Sequence, residues 1–257
     1  MKIVRYREGD LIKWGVMEED SIREMEGDPF GHFHLTPKAK DLQEVKLLSP
    51  CLPSKIVALG LNYRDHAEEM KIALSKEPLL FLKPSTSVIG PGEAIVYPGM
   101  SKRVDYEAEL AVVIRKVAKA VPVERAAEYI LGYTCFNDVT ARDLQPKDGQ
   151  WTKAKGFDTF SPIGPWIVTD IDPHHLEISS YLNGERHQHS NTKNLVFGPY
   201  HLVSFISHIM TLLPGDVIAT GTPSGIGPMA VGDKIDIVIE RIGTLSNTVV
   251  AEERSGE

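Results

Sequence analysis

Cysteine is nearly absent: Cys51 and Cys135 are the only two in 257 residues. A pair of thiols in a chain that opens Met1-Lys2-Ile3-Val4-Arg5-Tyr6-Arg7-Glu8, with no apolar leader, reads as two buried thiols of a cytoplasmic protein rather than a disulfide. Positive charge is also short. Lys and Arg number 28 against 35 Asp and Glu, a net charge of -7, which argues against nucleic acid as a partner because phosphate binding needs clustered cations. Long hydrophobic runs are missing: no stretch approaches the ~20 apolar residues of a membrane span. Internal repeats and low-complexity segments are missing too. What remains is 42% hydrophobic and 25% charged, ordinary for a soluble globular chain, and long enough for one large domain with a small companion.

The chain is organised around Val104-Asp105-Tyr106-Glu107-Ala108-Glu109-Leu110-Ala111-Val112-Val113-Ile114. Its second half is rich in Val, Ile and Leu and predicts a strand buried on both faces. Glu107 and Glu109 lie two residues apart, so on a strand they share a face with Cβ atoms about 7 Å apart. Two ionised carboxylates at that spacing repel by roughly 2 kcal/mol at an effective dielectric near 20. A buried strand needs relief from this: one carboxyl is neutral, a lysine or arginine bridges the two, or a divalent cation lies between them. The bland alternative is a solvated strand face. A cation here would be held by oxygen alone, which favours Mg, Mn or Ca over Zn, and a third ligand must come from elsewhere.

Residues 1–50 predict a small β-rich domain, with Lys2 to Tyr6 pairing Leu11 to Val16 across a Gly-Asp turn; residues 51–257 form the main domain. A strand over Lys55 to Leu59 runs into Asn62, a helix cap, and a helical pattern from Arg64, in which His66 and Glu69 share a face. The polar segment from Asn62 to about Lys76 has few apolar anchors and is expected to form a mobile lid. Pro78 to Pro84 is an apolar strand. Pro122 to Leu131 predicts a short helix with Gly132 as its C-terminal cap. Asp138 stands at a strand end, as a ligand or a helix cap. Lys155 lies in a mixed polar and aromatic segment, serving a site or simply solvated. Asn183-Gly184 predicts a hairpin turn, with His187 and His189 structural. His201 to Leu213 is amphipathic. Thr220-Gly221-Thr222-Pro223-Ser224-Gly225 is Gly-rich, but no Gly-Lys-Ser/Thr follows and no helix opens behind it, so it is not a P-loop. It can still present backbone N–H groups to an anion.

These fragments in this order resemble the fumarylacetoacetate hydrolase family from about Lys55 to Val250. The resemblance rests on Asn62-Tyr63 with His66-x-x-Glu69, Phe81-x-Lys83-Pro84, Asp105-Tyr106-Glu107-x-Glu109, Asn137-Asp138-Val139-Thr140-x-Arg142-Asp143, Lys155-x-Phe157-Asp158 and Thr220-Gly221-Thr222-Pro223. It implies an α+β fold, a mixed β-roll with peripheral helices, in a homodimer. It places metal ligands at Glu107, Glu109 and Asp138 for Mg2+ or Mn2+, with Ca2+ a further candidate. It also places a lysine near the metal at Lys155, a lid pair at His66 and Glu69, and substrate contacts at Asn62, Tyr63, Gln145 and Thr222. Acylpyruvase-like relatives often carry Arg or Lys immediately before the Asn-Tyr pair, where this chain has Leu61; Arg64 and Arg142 are the replacement candidates for a substrate carboxylate.

The resemblance implies a small-molecule 2-oxo acid, 2,4-dioxo acid or 2-hydroxy-dienoate dicarboxylic acid as substrate, and chemistry through its enolate. Isomerisation or decarboxylation of aromatic-degradation intermediates of the 2-hydroxyhepta-2,4-diene-1,7-dioate type competes with acylpyruvate hydrolysis and oxaloacetate decarboxylation. A catalytically silent small-molecule or metal-binding protein on the same fold is the expectation outside enzymes.

Overall fold

The computed structural model describes residues 1–65, 75–146 and 150–253. Among these, sheet dominates, in keeping with the α+β fold expected. The largest sheet runs in spatial order through Phe33–Asp41, Ser21–Gly27, Leu11–Glu18, Lys2–Glu8, Ser161–Val168, Ile130–Asn137, Ala108–Ile114, Val217–Ala219, Ile56–Gly60 and Leu79–Lys83. The N-terminal strands therefore form an antiparallel meander that joins the main sheet where Lys2 and Ile3 pair with Val168 and Ile167. A five-stranded sheet is ordered Glu185–Asn191, Glu177–Leu182, Lys234–Ile239, Gly243–Ala251, Ala94–Tyr97. A small three-stranded sheet joins Thr140–Ala141, Val104–Tyr106 and Gly227–Met229.

The central stretch is two strands. Val104–Tyr106 belongs to the small sheet and Ala108–Ile114 to the large one, with Glu107 at the break. Both are wholly buried. Ala108–Ile114 lies between Ile130–Asn137 and Val217–Ala219, antiparallel to each, which explains an apolar run without polar alternation. On one side Leu110, Val112 and Ile114 join the main core with Ile178, Leu202, Ile237 and Leu245. On the other, Ala111 and Val113 pack with Ile3, Ile56, Phe136 and Ile167.

The Asn183-Gly184 hairpin forms as expected, with both residues at positive φ (52° and 86°), the conformation of a tight two-residue turn. The amphipathic segment is a helix over Pro199–Ile209, whose Leu202, Val203 and Ile206 are buried. The expected helix before Gly132 differs. Val123–Tyr129 is 3-10, and the chain passes directly into the strand Ile130–Asn137, so Gly132 is a strand residue. A Cβ there would lie 2.4 Å from the Val168 carbonyl oxygen, so this glycine permits close strand approach and caps nothing. No helix among the described residues is long and apolar enough to cross a membrane.

Candidate active site

Backbone geometry at the strand break assembles three carboxylates. The Asp138 N–H donates to the Glu107 carbonyl at 2.9 Å, and Asn137 Oδ1 accepts the Glu107 N–H at 2.9 Å. These two bonds join the end of one strand to the break in its neighbour. Glu109, the second residue of Ala108–Ile114, is fully buried, as is Asp138, and Glu107 is 6% exposed. One oxygen from each of Glu107, Glu109 and Asp138 lies within 4.8 Å of the other two.

Cations surround two of the three. Arg142 Nη2 donates to Glu107 Oε1 at 2.5 Å, and Lys155 Nζ donates to Glu107 Oε2 at 3.0 Å. The same ammonium reaches Asp138 Oδ2 at 2.5 Å, while Lys83 Nζ bonds Asp138 Oδ1. Burial by itself would raise the Glu107 carboxyl, but Lys155 and Arg142 outweigh it and bring the group to about 2. Burial also disfavours the Lys155 charge, yet Asp138 and Glu107 hold that ammonium above its usual range. Glu109 is hydrogen-bonded to neither cation among the described residues, and the Lys155 charge only partly offsets its burial. Burial first, then the charges of Asp138 and Glu107, push its carboxyl well above the ordinary value. Of the expected reliefs, the neutral form is the one favoured at Glu109; the cation expected to bridge the two glutamates instead bridges Glu107 to Asp138 through Lys155.

The third relief, a divalent cation, fits the same residues. Glu109 Oε2 accepts the Gly221 N–H at 2.8 Å, whereas Glu109 Oε1 is buried and lacks a partner among the described residues. An unpaired buried carboxylate oxygen is costly, and a hard cation with oxygen ligands satisfies it.

Arg142 is held at three points of its planar fork. Nε donates to Asp105 Oδ2 at 2.8 Å, Nη2 to Glu107, and Nη1 to Gln145 Oε1 at 2.6 Å. Asp105, fully buried, also takes a bidentate contact from Arg103 at 2.9 and 3.2 Å. Lys155 sits in the short helix Thr152–Lys155, its Nζ 5.0 Å from the Phe81 ring centroid, and Phe81 packs edge-on against Trp151.

The structure therefore brings together Glu107, Glu109, Asp138, Lys155, Arg142 and Gln145. Asn62 lies nearby, but its amide is committed to backbone: Nδ2 donates to Phe197 O and Thr220 O, and Oδ1 accepts Phe197 N–H. These bonds brace the preceding Leu61, whose φ of 55° is unusual for a bulky residue. Tyr63 is fully buried with its hydroxyl unpartnered among the described residues. Arg64 is exposed, leaving Arg142 as the candidate built into the cluster. Thr222 is nearly buried and accepts from Gln188. His66, Glu69 and most of the expected lid lie outside the described residues.

Lys83 had no role assigned from sequence. It is fully buried and donates to Asp138, to Phe160 O at 2.7 Å and to Val139 O at 3.3 Å. Its signal was available: a lysine at the end of an apolar strand, held in place before Pro84.

Residues 55–250 match the family model described as fumarylacetoacetate (FAA) hydrolase, C-terminal, and residues 1–50 match one described as Rv2993c-like, N-terminal. The chain belongs to the fumarylacetoacetate hydrolase family. An uncharacterized protein of Archaeoglobus fulgidus is 58% identical over 83% of this chain and 85% of its own. The mitochondrial oxaloacetate tautomerase Fahd2a of Rattus norvegicus is 42% identical, covering 80% of this chain and 70% of its own. Among solved structures, 5-carboxymethyl-2-hydroxymuconate delta-isomerase from Mycobacterium smegmatis superposes with a TM-score of 0.92 at 46% identity, over 98% of this chain and 100% of that one. The 2-hydroxyhepta-2,4-diene-1,7-dioate isomerase of Mycobacterium marinum gives 0.92 at 43%, over 99% and 100%. Maleylpyruvate hydrolase from Sphingobium sp. SYK-6, in complex with manganese(II) and pyruvate, gives 0.82 at 30%, over 98% and 100%. Family membership and these relatives make the chain a fumarylacetoacetate hydrolase-type enzyme, and its acidic triad is suited to a divalent ion.

Proposed function

We propose that this chain is a divalent-metal-dependent isomerase or decarboxylase of 2-hydroxy-dienoate and 2-oxo dicarboxylic acids, of the 2-hydroxyhepta-2,4-diene-1,7-dioate type. The observation that carries the reading is the buried triad Glu107, Glu109 and Asp138, with one Glu109 oxygen unpartnered among the described residues and Arg142, Lys155 and Lys83 alongside. Mg2+ or Mn2+, held by these three residues, supplies a Lewis acid for the charge that develops on a 2-oxo group; Ca2+ fits the oxygen donors less selectively.

The protein's own groups account for the rest. Arg142, fixed by Asp105, Glu107 and Gln145, presents a rigid cation to a substrate carboxylate, the task Leu61 cannot perform. The Lys155 ammonium has two of its hydrogens on Glu107 and Asp138, which among the described residues leaves the third for a substrate oxygen. It favours the enolate form over the neutral acid, whether that form is reached by removing a proton from carbon or by losing CO2. Asn62 shapes the wall beside Gly221, and Thr222 offers a hydroxyl.

Similarity to maleylpyruvate hydrolase supports a second reading, acylpyruvate hydrolysis, in which His66, oriented by Glu69, deprotonates water. Similarity to the rat oxaloacetate tautomerase adds oxaloacetate as a substrate to test, for decarboxylation and for keto–enol interconversion. A Mn2+-supplemented panel of 2-hydroxy-dienedioates, oxaloacetate and acylpyruvates decides among them. Glu107→Ala is expected to remove every activity. His66→Ala is expected to lower hydrolysis by about 10²-fold or more while sparing decarboxylation; equal loss of both would demote His66 to substrate positioning. No turnover across the whole panel would favour a binding protein instead. A homodimer and a companion role for residues 1–50 are proposed alongside, and sedimentation of the full chain and of one lacking residues 1–50 tests both.

A further inference from the structure

We infer that Gln188 is a positioning residue that fixes the Thr222 hydroxyl as a hydrogen-bond donor toward the substrate, an inference that rests on the functional reading above. Gln188 lies in the strand Glu185–Asn191 of the five-stranded sheet and is fully buried. Its Oε1 accepts the N–H of Ala108, the residue between Glu107 and Glu109, at 2.9 Å. Its Nε2 donates to Thr222 Oγ1 and to Pro223 O, each at 2.8 Å.

All three contacts together leave one orientation of the amide. Turning it over would set the NH2 against the Ala108 N–H and the oxygen against the Pro223 carbonyl, two repulsive pairs in a buried place. One amide hydrogen must therefore go to Pro223 and the other to Thr222. Thr222 Oγ1 accepts, and among the described residues its own hydrogen has no acceptor. The direction runs from the Ala108 N–H through the Gln188 amide to the Thr222 O–H. Thr222 follows Gly221, whose N–H holds Glu109, so this donor is tied to the carboxylate cluster at both ends of the relay. A ligand acceptor at Thr222, a carboxylate or keto oxygen, takes the hydroxyl hydrogen; Oγ1 keeps a second lone pair, so the Gln188 amide biases this hydroxyl toward donating without closing it to an N–H.

The test uses the full Mn2+-loaded chain, with pyruvate binding read by titration calorimetry and Mn2+ binding read separately by thermal shift. Thr222→Val is expected to weaken pyruvate by about ten-fold, the loss of one hydrogen bond to a charged group, and Thr222→Ser to restore it; Mn2+ still shifts both. Gln188→Glu offers no hydrogen, draws the Thr222 hydrogen to itself and is expected to weaken pyruvate as Thr222→Val does, with no further loss when the two are combined. Gln188→Met, which neither donates nor accepts, gives the same coupling test should the charged variant fail to fold. Pyruvate binding indifferent to Thr222→Val, or a Gln188 effect undiminished in the Thr222→Val background, overturns the inference alone. A wild-type chain that takes Mn2+ but not pyruvate overturns the functional reading, and this inference with it.

Discussion

Lys83 and Asp138 form a buried ion pair in which the lysine has every hydrogen on the protein: Asp138 Oδ1, Phe160 O and Val139 O. Lys155, on the other Asp138 oxygen and on Glu107, has a hydrogen left over among the described residues. The two lysines are thus not equivalent. Burial depresses the Lys83 pKa, with Asp138 opposing that shift, while Lys155 is held raised. Lys83 anchors one oxygen of the Asp138 carboxylate, and Lys155 bridges the other to Glu107.

Lys83→Met is accordingly expected to destabilise the chain by about 3 kcal/mol, the low end for removing one partner of a buried ion pair, because Asp138 keeps Lys155 on its other oxygen. Urea unfolding measures it. A loss under 1 kcal/mol would mean that Asp138 relaxes toward Lys155 and that Lys83 contributes little.

Glu109→Gln separates stability from metal binding. The amide has the shape of the neutral carboxyl that burial favours at this position, so the metal-free melting temperature should hold or rise. The upward shift that Mn2+ gives the unmodified chain should vanish, because a ligand has been lost. A Mn2+ shift of unchanged size would remove Glu109 from the ligand set.

Cys51 is fully buried and its thiol is pushed up to about 12, chiefly by burial. Cys135 is displaced in the same direction for the same reason. Neither should react with a thiol reagent at pH 8 in the native protein, and both should react in denaturant. Rapid native labelling of either thiol would contradict the packing around it.

Glu8 ties the N-terminal meander, bonding Lys40 at 2.6 Å and Lys13 at 2.9 Å. The Lys40 and Lys13 hydrogen bonds, in that order, lower its pKa from 4.5 to about 2. A carboxyl lowered in the folded state stabilises above its unfolded value and loses that contribution as pH falls toward the folded one. Glu8→Gln should therefore flatten the pH dependence of stability between about 4.5 and 2, in a small step because the group is solvent-exposed and screened. Urea midpoints measured across that window check it.

The carboxylate cluster was legible because two glutamates at strand spacing in an apolar run pose an electrostatic problem that any fold must answer. What could not be read was which answer applied to which residue. That depends on Arg142 and Lys155 arriving from later segments, 35 and 48 residues beyond Glu107. Hairpins were legible where turn chemistry is local, as at Asn183-Gly184. Val123–Tyr129 was expected as a standard helix and is 3-10 because the chain goes straight into a strand. The break at Glu107 left no mark in composition, since both flanking strands are equally buried, one in each of two sheets. Gln188 was invisible for a related reason: a lone glutamine beside two histidines in a hairpin carries no signal until the sheets are stacked.

The pairing of Ala108–Ile114 on both sides bears on how such a molecule can diverge. Ala108 is registered to Asn137, and Ala111 to Ala219, so the strand cannot shift by one residue without reversing Glu109 to the opposite face. Insertions and deletions are then tolerated in the loops that surround the cluster, but not in the strands that carry it. Descendants of this chain can acquire new substrates through those loops while inheriting the three buried carboxylates as a single indivisible unit.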